Sequence, residues 1–103
     1  IEAPDEAAHA GSIDDKVEAL QIIDKEVVGR IRSWNLDALR VLILPDHPTP
    51  IKIQTHTDEP VPFVLWGYGF ASNGAKRFTE AEAKNTGVFI DEGYNIMSRL
   101  TRV

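Results

Sequence analysis

The chain of 103 residues contains no cysteine. A disulfide framework, a zinc site built on thiolates and a thiol nucleophile are therefore excluded. The sequence also contains no apolar run long enough to span a bilayer. Basic residues are few, 11 against 16 acidic ones, so the net charge is -5 and the pI about 5.1. This charge disfavours nucleic acid or an anionic membrane as the main partner, and a cytoplasmic protein is expected.

The composition that remains is that of an ordinary globular domain, with 43% hydrophobic and 26% charged residues. The sequence begins Ile1-Glu2-Ala3-Pro4, and Met97 is its only methionine. An apolar start that runs at once into Pro-Asp is typical of the end of a β-strand whose first part is missing. We therefore expect a piece of a longer protein, with a processed mature chain as the alternative.

Hydrophobic residues recur at spacings of three and four over residues 12–34, which predicts one amphipathic helix. The apolar stripe comprises Ile13, Val17, Leu20, Ile23, Val27, Ile31 and Trp34. Ser12 precedes the stripe as a predicted N-cap. Acidic residues crowd the first turns, while Arg30 and Arg32 lie near the end, as the helix dipole favours. This helix is the most strongly patterned element of the sequence.

A nearly continuous apolar run, Leu-Arg-Val-Leu-Ile-Leu, occupies residues 39–44. It predicts a strand buried on both faces, as in a parallel sheet. A second apolar strand is predicted at residues 63–66, after a long connection rich in proline. A helix followed by a buried strand is half of a β-α-β unit, so the predicted fold class is α/β.

Two short helices are predicted in the last quarter of the sequence. Thr79 and Glu82 have the spacing of a capping box, which would open the first of them. The second is predicted over residues 92–101. Its spacing predicts that Tyr94, Met97 and Leu100 point inward.

Each of the three histidines lies near a feature that suits a metal ion. His9 follows Asp5 by four residues. Pro4 suits the first position of a helical turn, where its missing N–H costs nothing. On such a turn, residues four apart share one face and are within reach of one ion.

The other two histidines follow the predicted strand at residues 39–44. Asp46 and His47 are adjacent, and neighbouring side chains of an extended chain point in opposite directions, so this pair suits two different ions better than one. His56 lies further along the same connection. Asp5 and Asp46 are both predicted to follow strands, and ligands of α/β proteins gather at the carboxyl ends of strands.

Each pattern also has an ordinary explanation when it is taken alone. An Asp and a His four residues apart usually form a solvated helix face or an ion pair. An Asp-His pair after a strand is usually a turn, and a lone histidine is usually structural. Their shared position nevertheless favours a metal site, and carboxylate with imidazole favours Mn, Zn or Co over Ca. The candidate ligands are Asp5, His9, Asp46, His47 and His56.

Three motifs carry a resemblance to a known family over essentially the whole chain. They are Glu-Ala-Pro-Asp-Glu-Ala-Ala-His at residues 2–9, Leu-Pro-Asp-His-Pro-Thr-Pro at 44–50 and Thr-His-Thr-Asp-Glu-Pro-Val-Pro-Phe at 55–63. In this order they resemble the C-terminal region of the cofactor-independent (2,3-bisphosphoglycerate-independent) phosphoglycerate mutases of the archaeal type. These mutases belong to the alkaline phosphatase superfamily.

The resemblance implies a fold and an activity. Residues 1–103 would be the C-terminal portion of a metal-binding, phosphatase-like domain with three α/β/α layers. The N-terminal portion and an inserted substrate domain would be absent. The whole enzyme would interconvert 3-phosphoglycerate and 2-phosphoglycerate, in glycolysis and gluconeogenesis, through a phosphoserine intermediate.

The resemblance also implies a role for each candidate ligand. Asp5, His9 and His56 would hold one divalent ion, and Asp46 and His47 would hold a second. Manganese is the expected metal, with magnesium, cobalt or zinc as alternatives. The nucleophilic serine would lie in the missing part. This chain would therefore contain no catalytic residue and no organic-cofactor site, and alone it would be inactive.

Two alternatives stay open at this stage. The first is another phosphotransferase of the same superfamily: a phosphopentomutase, a phosphohydrolase or a relative that phosphorylates homoserine. The second is a stand-alone, non-catalytic binding domain with structural histidines. If neighbouring strands are missing, self-association of the chain through its uncovered strands is also expected.

Overall fold

The computed structural model describes residues 1–102. The chain forms two compact units. The first unit consists of Ile1–Leu36 and His47–Pro60, and the second of Asp37–Asp46 with the chain from Val61 onwards. In the described part of the chain, no helix has both the length and the apolar content needed to cross a membrane.

The first unit opens with helix α1 (Ala3–His9), which has a proline in its first turn together with Asp5 and Glu6. Proline and acidic residues both favour a helix N-terminus. The helix ends where Gly11 adopts a φ of 71°, in the left-handed region that favours glycine. The helical turn predicted from Pro4 is confirmed. Asp5 lies within this turn, and the expectation that a strand precedes it stays a prediction.

A longer helical segment follows, composed of α2 (Ile13–Ile23), a π-helical turn (Asp24–Val28) and α3 (Gly29–Arg32). The Ser12 hydroxyl accepts the Asp15 N–H at 3.2 Å, so the predicted N-cap is confirmed. Within the π-helical turn the Gly29 N–H donates to the Asp24 carbonyl, five residues back. The predicted helix over residues 12–34 is confirmed, with its last α-helical residue at Arg32.

The two helical segments of the first unit pack against each other. Ala7 and Ala8 of α1 are buried. Much of the apolar stripe on the following helix is exposed, with 63% of Ile13 and 51% of Leu20 accessible. Large apolar residues left in water on one helix face are typical of a surface that another element covers.

The second unit contains strands β1 (Arg40–Ile43) and β2 (Val64–Gly67). Both strands were predicted, but they pair antiparallel, with Arg40 opposite Gly67 and Ile43 opposite Val64. The prediction that the first strand is buried on both faces in a parallel sheet is wrong for the described residues, since every residue of β1 is only half-buried. A continuous apolar run predicts that a strand is buried in the complete fold, but it carries no information on the direction of the neighbouring strand.

The remaining elements are helix α4 (Glu80–Asn85), a 3₁₀ turn (Gly93–Asn95) and helix α5 (Ile96–Thr101). The predicted cap of α4 is confirmed, because the Glu82 N–H donates to the Thr79 hydroxyl at 3.2 Å. Residues 93–101 are helical, close to the predicted range of 92–101, but the inward face is not the predicted one. Ile96 is the buried residue, whereas Tyr94 is 74% exposed and Met97 52% exposed.

The physical reason for this difference is the 3₁₀ turn. Three residues per turn rotate the first side chains relative to those of the α-helix, so the two parts do not share one 3.6-residue stripe. Leu100, the third residue predicted to point inward, is half-buried, and α5 packs against β1. The described chain is thus a small α/β structure with a two-stranded sheet.

Candidate metal centre

Helix α1 positions the first two candidate ligands. Asp5 and His9 lie one helical turn apart, and the carboxylate Oδ2 of Asp5 is 3.4 Å from Nε2 of His9. Both side chains are partly accessible, 35% for Asp5 and 41% for His9. The predicted common face is therefore observed, and it remains open to an ion from solvent.

His56 reaches the same point from the second segment of the first unit. Its Nε2 lies 3.2 Å from Oδ1 of Asp5 and 3.1 Å from Nε2 of His9. The segment is held in place by its own backbone, because the Thr57 N–H donates to the Pro48 carbonyl at 3.1 Å. One donor atom from each of the three residues thus lies within 4.8 Å of the others.

A contact of the second ring nitrogen of His9 favours one tautomer. Nδ1 lies 2.9 Å from the backbone carbonyl oxygen of Gln54, which can only accept a hydrogen bond. Nδ1 therefore carries the hydrogen and donates it, and the lone pair is at Nε2. A histidine whose other N–H is held by a carbonyl is the usual arrangement of a metal ligand.

Gln54 adopts an unusual backbone conformation to provide that carbonyl. Its φ is 53°, a value that residues other than glycine adopt infrequently. Its side chain passes close to Gly11, where an added Cβ would lie 2.1 Å from Nε2 of Gln54. Gly11 therefore has two roles. Its positive φ ends α1, and its missing Cβ leaves room for the Gln54 side chain.

The third histidine, His47, stacks on His56. Their ring centroids are 3.6 Å apart and the ring planes are inclined by 27°. Nδ1 of His47 lies 3.0 Å from the hydroxyl oxygen of Thr49. The same hydroxyl donates to Oδ1 of Asp5 at 2.7 Å. The three histidines and Asp5 therefore form one continuous polar cluster in the first unit.

The electrostatics of the cluster keep Asp5 ionised. The hydrogen bond from Thr49 is the main cause that lowers the pKa of Asp5 below its ordinary value. Partial desolvation opposes this shift, while His9, His56 and His47 lower the pKa further. Since the folded-state pKa lies below the ordinary one, the carboxylate form that binds a cation is the form present at neutral pH.

The three donors fit a small divalent transition-metal ion. Nitrogen and oxygen ligands lie about 2.0–2.2 Å from zinc, so in a tetrahedral site they are separated by about 3.3–3.6 Å. The two histidine nitrogens are 3.1 Å apart, Oδ2 of Asp5 lies 3.4 Å from His9 and Oδ1 of Asp5 lies 3.2 Å from His56, so the side chains are within a few tenths of an ångström of this spacing. Two imidazole nitrogens and a carboxylate suit zinc, manganese, cobalt or a related ion better than calcium.

Within the first unit the structure brings together Asp5, His9, His56 and His47. The remaining candidate ligand, Asp46, is exposed. Its role as a ligand, like the ligand role of the other four, stays a prediction. Sequence reasoning missed two residues of the cluster. Thr49 lies in the motif at residues 44–50, but the motif alone assigns it no role. The sequence gives no signal for the carbonyl of Gln54.

Imidazole and carboxylate donors thus lie together on a small α/β scaffold, an arrangement that can hold a metal ion. Comparison with known proteins gives the class of protein. Residues 1–100 match the family described as the metalloenzyme superfamily, and the chain belongs to that family.

Similar proteins are named as phosphoglycerate mutases. The chain is 44% identical to the 2,3-bisphosphoglycerate-independent phosphoglycerate mutase of Methanothrix thermoacetophila, over 97% of this chain and 26% of that protein. It is 39% identical to a probable mutase of the same description from Geobacter sulfurreducens, again over 97% of this chain and 26% of that protein. The resemblance predicted from the three motifs is confirmed.

A solved structure supports the fold. The PH0037 protein from Pyrococcus horikoshii superposes with a TM-score of 0.84 and 28% sequence identity, over 94% of this chain and 29% of that chain. The chain therefore spans about a quarter of the length of the relatives that it matches.

Proposed function

We propose that this chain is the C-terminal portion, residues 1–103, of the metal-binding, phosphatase-like α/β/α domain of a phosphoglycerate mutase. The whole enzyme would interconvert 3-phosphoglycerate and 2-phosphoglycerate in the cytoplasm. The observation that carries the proposal is the convergence of Asp5, His9 and His56 at ligand spacing. The names of the similar proteins, at 44% and 39% identity, supply the reaction.

In this proposal Asp5, His9 and His56 hold one divalent ion, and Asp46 and His47 contribute to a second. Manganese is the expected metal, with magnesium, cobalt or zinc as alternatives. When bound, such ions activate a hydroxyl nucleophile and neutralise charge on the phosphoryl oxygens. The two-donor set of the second ion is incomplete in this chain, because sites for such ions normally use three or four protein donors.

The residues of this chain act by holding donor atoms in place. The Gln54 carbonyl accepts a hydrogen bond from Nδ1 of His9, which leaves the lone pair of the neutral ring on Nε2. The Thr49 hydroxyl fixes one oxygen of Asp5. Donors that are oriented before the ion arrives lose little freedom on binding, which raises affinity. The chain provides donors but no nucleophile, so we expect no turnover by the chain alone.

A chimera tests the proposal directly. The corresponding C-terminal segment of the Methanothrix thermoacetophila mutase would be replaced by this chain, and conversion of 3-phosphoglycerate to 2-phosphoglycerate would be measured with added Mn²⁺. We expect activity in the chimera and its loss in the same chimera with His56→Ala. A folded chimera that binds Mn²⁺ at neither site, or an active chimera that tolerates His56→Ala, would refute the proposal.

A further inference from the structure

We propose that Thr49 is a positioning residue whose single hydroxyl prepares donors for both ions. It holds Asp5 and, at the same time, selects the tautomer of His47 that offers Nε2 as the metal donor. This inference rests on the proposed function, because it assumes that Asp5 and His47 are ligands of neighbouring ions. Its geometric basis lies entirely within the first unit.

Thr49 is held more firmly than the residues it contacts. It is 6% exposed, whereas 35% of the Asp5 side chain is accessible. Its backbone carbonyl accepts a hydrogen bond from Nζ of Lys16 at 2.9 Å. A buried residue that is fixed through its backbone has little freedom to reorient. Its hydroxyl can therefore hold neighbouring side chains that are more exposed.

The hydroxyl of Thr49 lies between two groups but has only one hydrogen. Its oxygen is 2.7 Å from Oδ1 of Asp5 and 3.0 Å from Nδ1 of His47. An ionised carboxylate can only accept, so the hydroxyl hydrogen is committed to Asp5. The remaining contact requires Nδ1 of His47 to donate to the hydroxyl oxygen.

A second contact supports the same assignment. Nδ1 of His47 also lies 3.3 Å from the carbonyl oxygen of Pro48, which can only accept a hydrogen bond. Both of these contacts therefore favour a hydrogen on Nδ1. The lone pair of neutral His47 is then at Nε2, as it is in His9, where the Gln54 carbonyl has the corresponding role.

Thr49 thereby connects ligands that the proposed function assigns to different ions. Removing its hydroxyl would release one oxygen of Asp5 and would remove one hydrogen-bond acceptor of Nδ1 of His47. Loss of a residue that orients a ligand typically lowers metal affinity by about 10–100-fold. A residue that only fills space would leave both the affinity and the tautomer unchanged.

The experiment compares three variants of this chain. Thr49→Val removes the hydroxyl at nearly constant shape, and Thr49→Ser retains it. Thr57→Val is the matched control, because the Thr57 hydroxyl is buried and has no hydrogen-bond partner among residues 1–102. Calorimetric titration with Mn²⁺ gives the affinity, and ¹⁵N NMR of the metal-free chain gives the tautomer of His47.

We expect the wild type to show His47 with its hydrogen on Nδ1. Thr49→Val should bind Mn²⁺ about 10–100-fold more weakly and shift His47 toward the Nε2–H tautomer. Thr49→Ser and Thr57→Val should stay within about threefold of the wild type, well short of that loss.

The inference is overturned if Thr49→Val keeps the wild-type affinity or the wild-type tautomer. It is also overturned if Thr57→Val loses as much affinity as Thr49→Val, since the effect would then be one of general packing. A wild type with the hydrogen on Nε2 of His47 overturns it without any variant. A wild type that binds no Mn²⁺ but has the Nδ1–H tautomer, lost in Thr49→Val, contradicts the proposed function and sustains the positioning role.

Discussion

In both units of the molecule, backbone carbonyls hold a side chain in place, but the consequence differs between the units. In each, backbone carbonyls fix a nitrogen-bearing side chain: Gln54 holds His9 in the first unit, and Tyr68 and Leu100 hold Arg40 in the second. An imidazole held at one nitrogen keeps a lone pair on the other, whereas a guanidinium has only donors. Hydrogen bonds to backbone carbonyls therefore orient a proposed metal ligand in one unit and stabilise the fold in the other.

In the second unit, hydrogen bonds from Arg40 to backbone carbonyls stabilise the fold. Its Nε donates to the Tyr68 carbonyl at 2.9 Å, and Nη1 donates to the carbonyls of Leu100 at 3.0 Å and of Arg102. The guanidinium also lies 5.3 Å from the centre of the Phe70 ring, within the range of a cation–π interaction. This one side chain thus joins β1 to the loop after β2 and to the end of α5.

The largest expected effect concerns the tight metal site, which we assign to the first unit. His9→Ala removes one of three donors at the Asp5, His9 and His56 site, so we expect Mn²⁺ or Zn²⁺ affinity to fall on the order of 100-fold or more, beyond the loss typical of an orienting residue. Asp46→Asn in the second unit is the control and should change the tight site by less than about threefold. Calorimetric titration measures both.

The same titration counts the ions. We expect about one tightly bound ion per chain, because Asp46 and His47 alone give the second ion only two donors and such sites normally use three or four. Two tight sites, or a tight site that is indifferent to His9→Ala, would show that the ligand assignment is wrong. Absence of any binding would contradict the proposed ligand role of Asp5, His9 and His56.

An intermediate effect is expected on self-association. The second unit has a two-stranded sheet, so each strand has an edge without a strand partner in the described residues. Such edges pair readily with another chain, and a lysine on the strand discourages this. We expect the wild type to dimerise with increasing concentration and Trp66→Lys, on β2, to shift it toward monomer. Sedimentation equilibrium measures the change.

Trp34→Lys is the matched control for this experiment, because Trp34 in the first unit is exposed to a similar degree, 53% against 41% for Trp66. If association instead uses the exposed apolar stripe of the first unit, Trp34→Lys will have the larger effect. A wild type that stays monomeric at high concentration would contradict the prediction altogether.

The smallest expected effect concerns the stability of the two units. Arg40→Met leaves three backbone carbonyls without their donor, and we expect the free energy of unfolding to fall by about 1–3 kcal/mol. Arg30→Met in the first unit breaks only an exposed ion pair with Glu26, whose atoms are 2.7 Å apart. Such pairs contribute about 0.2–0.5 kcal/mol. Urea unfolding measures the free energy of unfolding of both variants. Equal losses would show that Arg40 contributes no more to stability than Arg30.

Local patterns predicted the elements of both units but not their tertiary arrangement. Ser12 and Thr79 cap their helices as expected, because a cap depends on residues within three positions along the chain. The sequence of β1 predicted a strand but not its antiparallel partner, since pairing joins Arg40 to Gly67. Tyr94 and Met97 were assigned to the wrong face, because a 3₁₀ turn interrupts the period from which that face was inferred.

The sequence by itself determined which residues can donate to a metal and that Asp5 and His9 share one helical face. Both follow from residue chemistry and the helical repeat. Tertiary structure alone decided which nitrogen of His9 is available and that Thr49 joins Asp5 to His47. The reason is distance along the chain: Gln54 lies 45 residues from His9, and Thr49 lies 44 residues from Asp5. Hydrogen bonds of that separation exist only once the chain has folded, and they set the protonation on which metal binding depends.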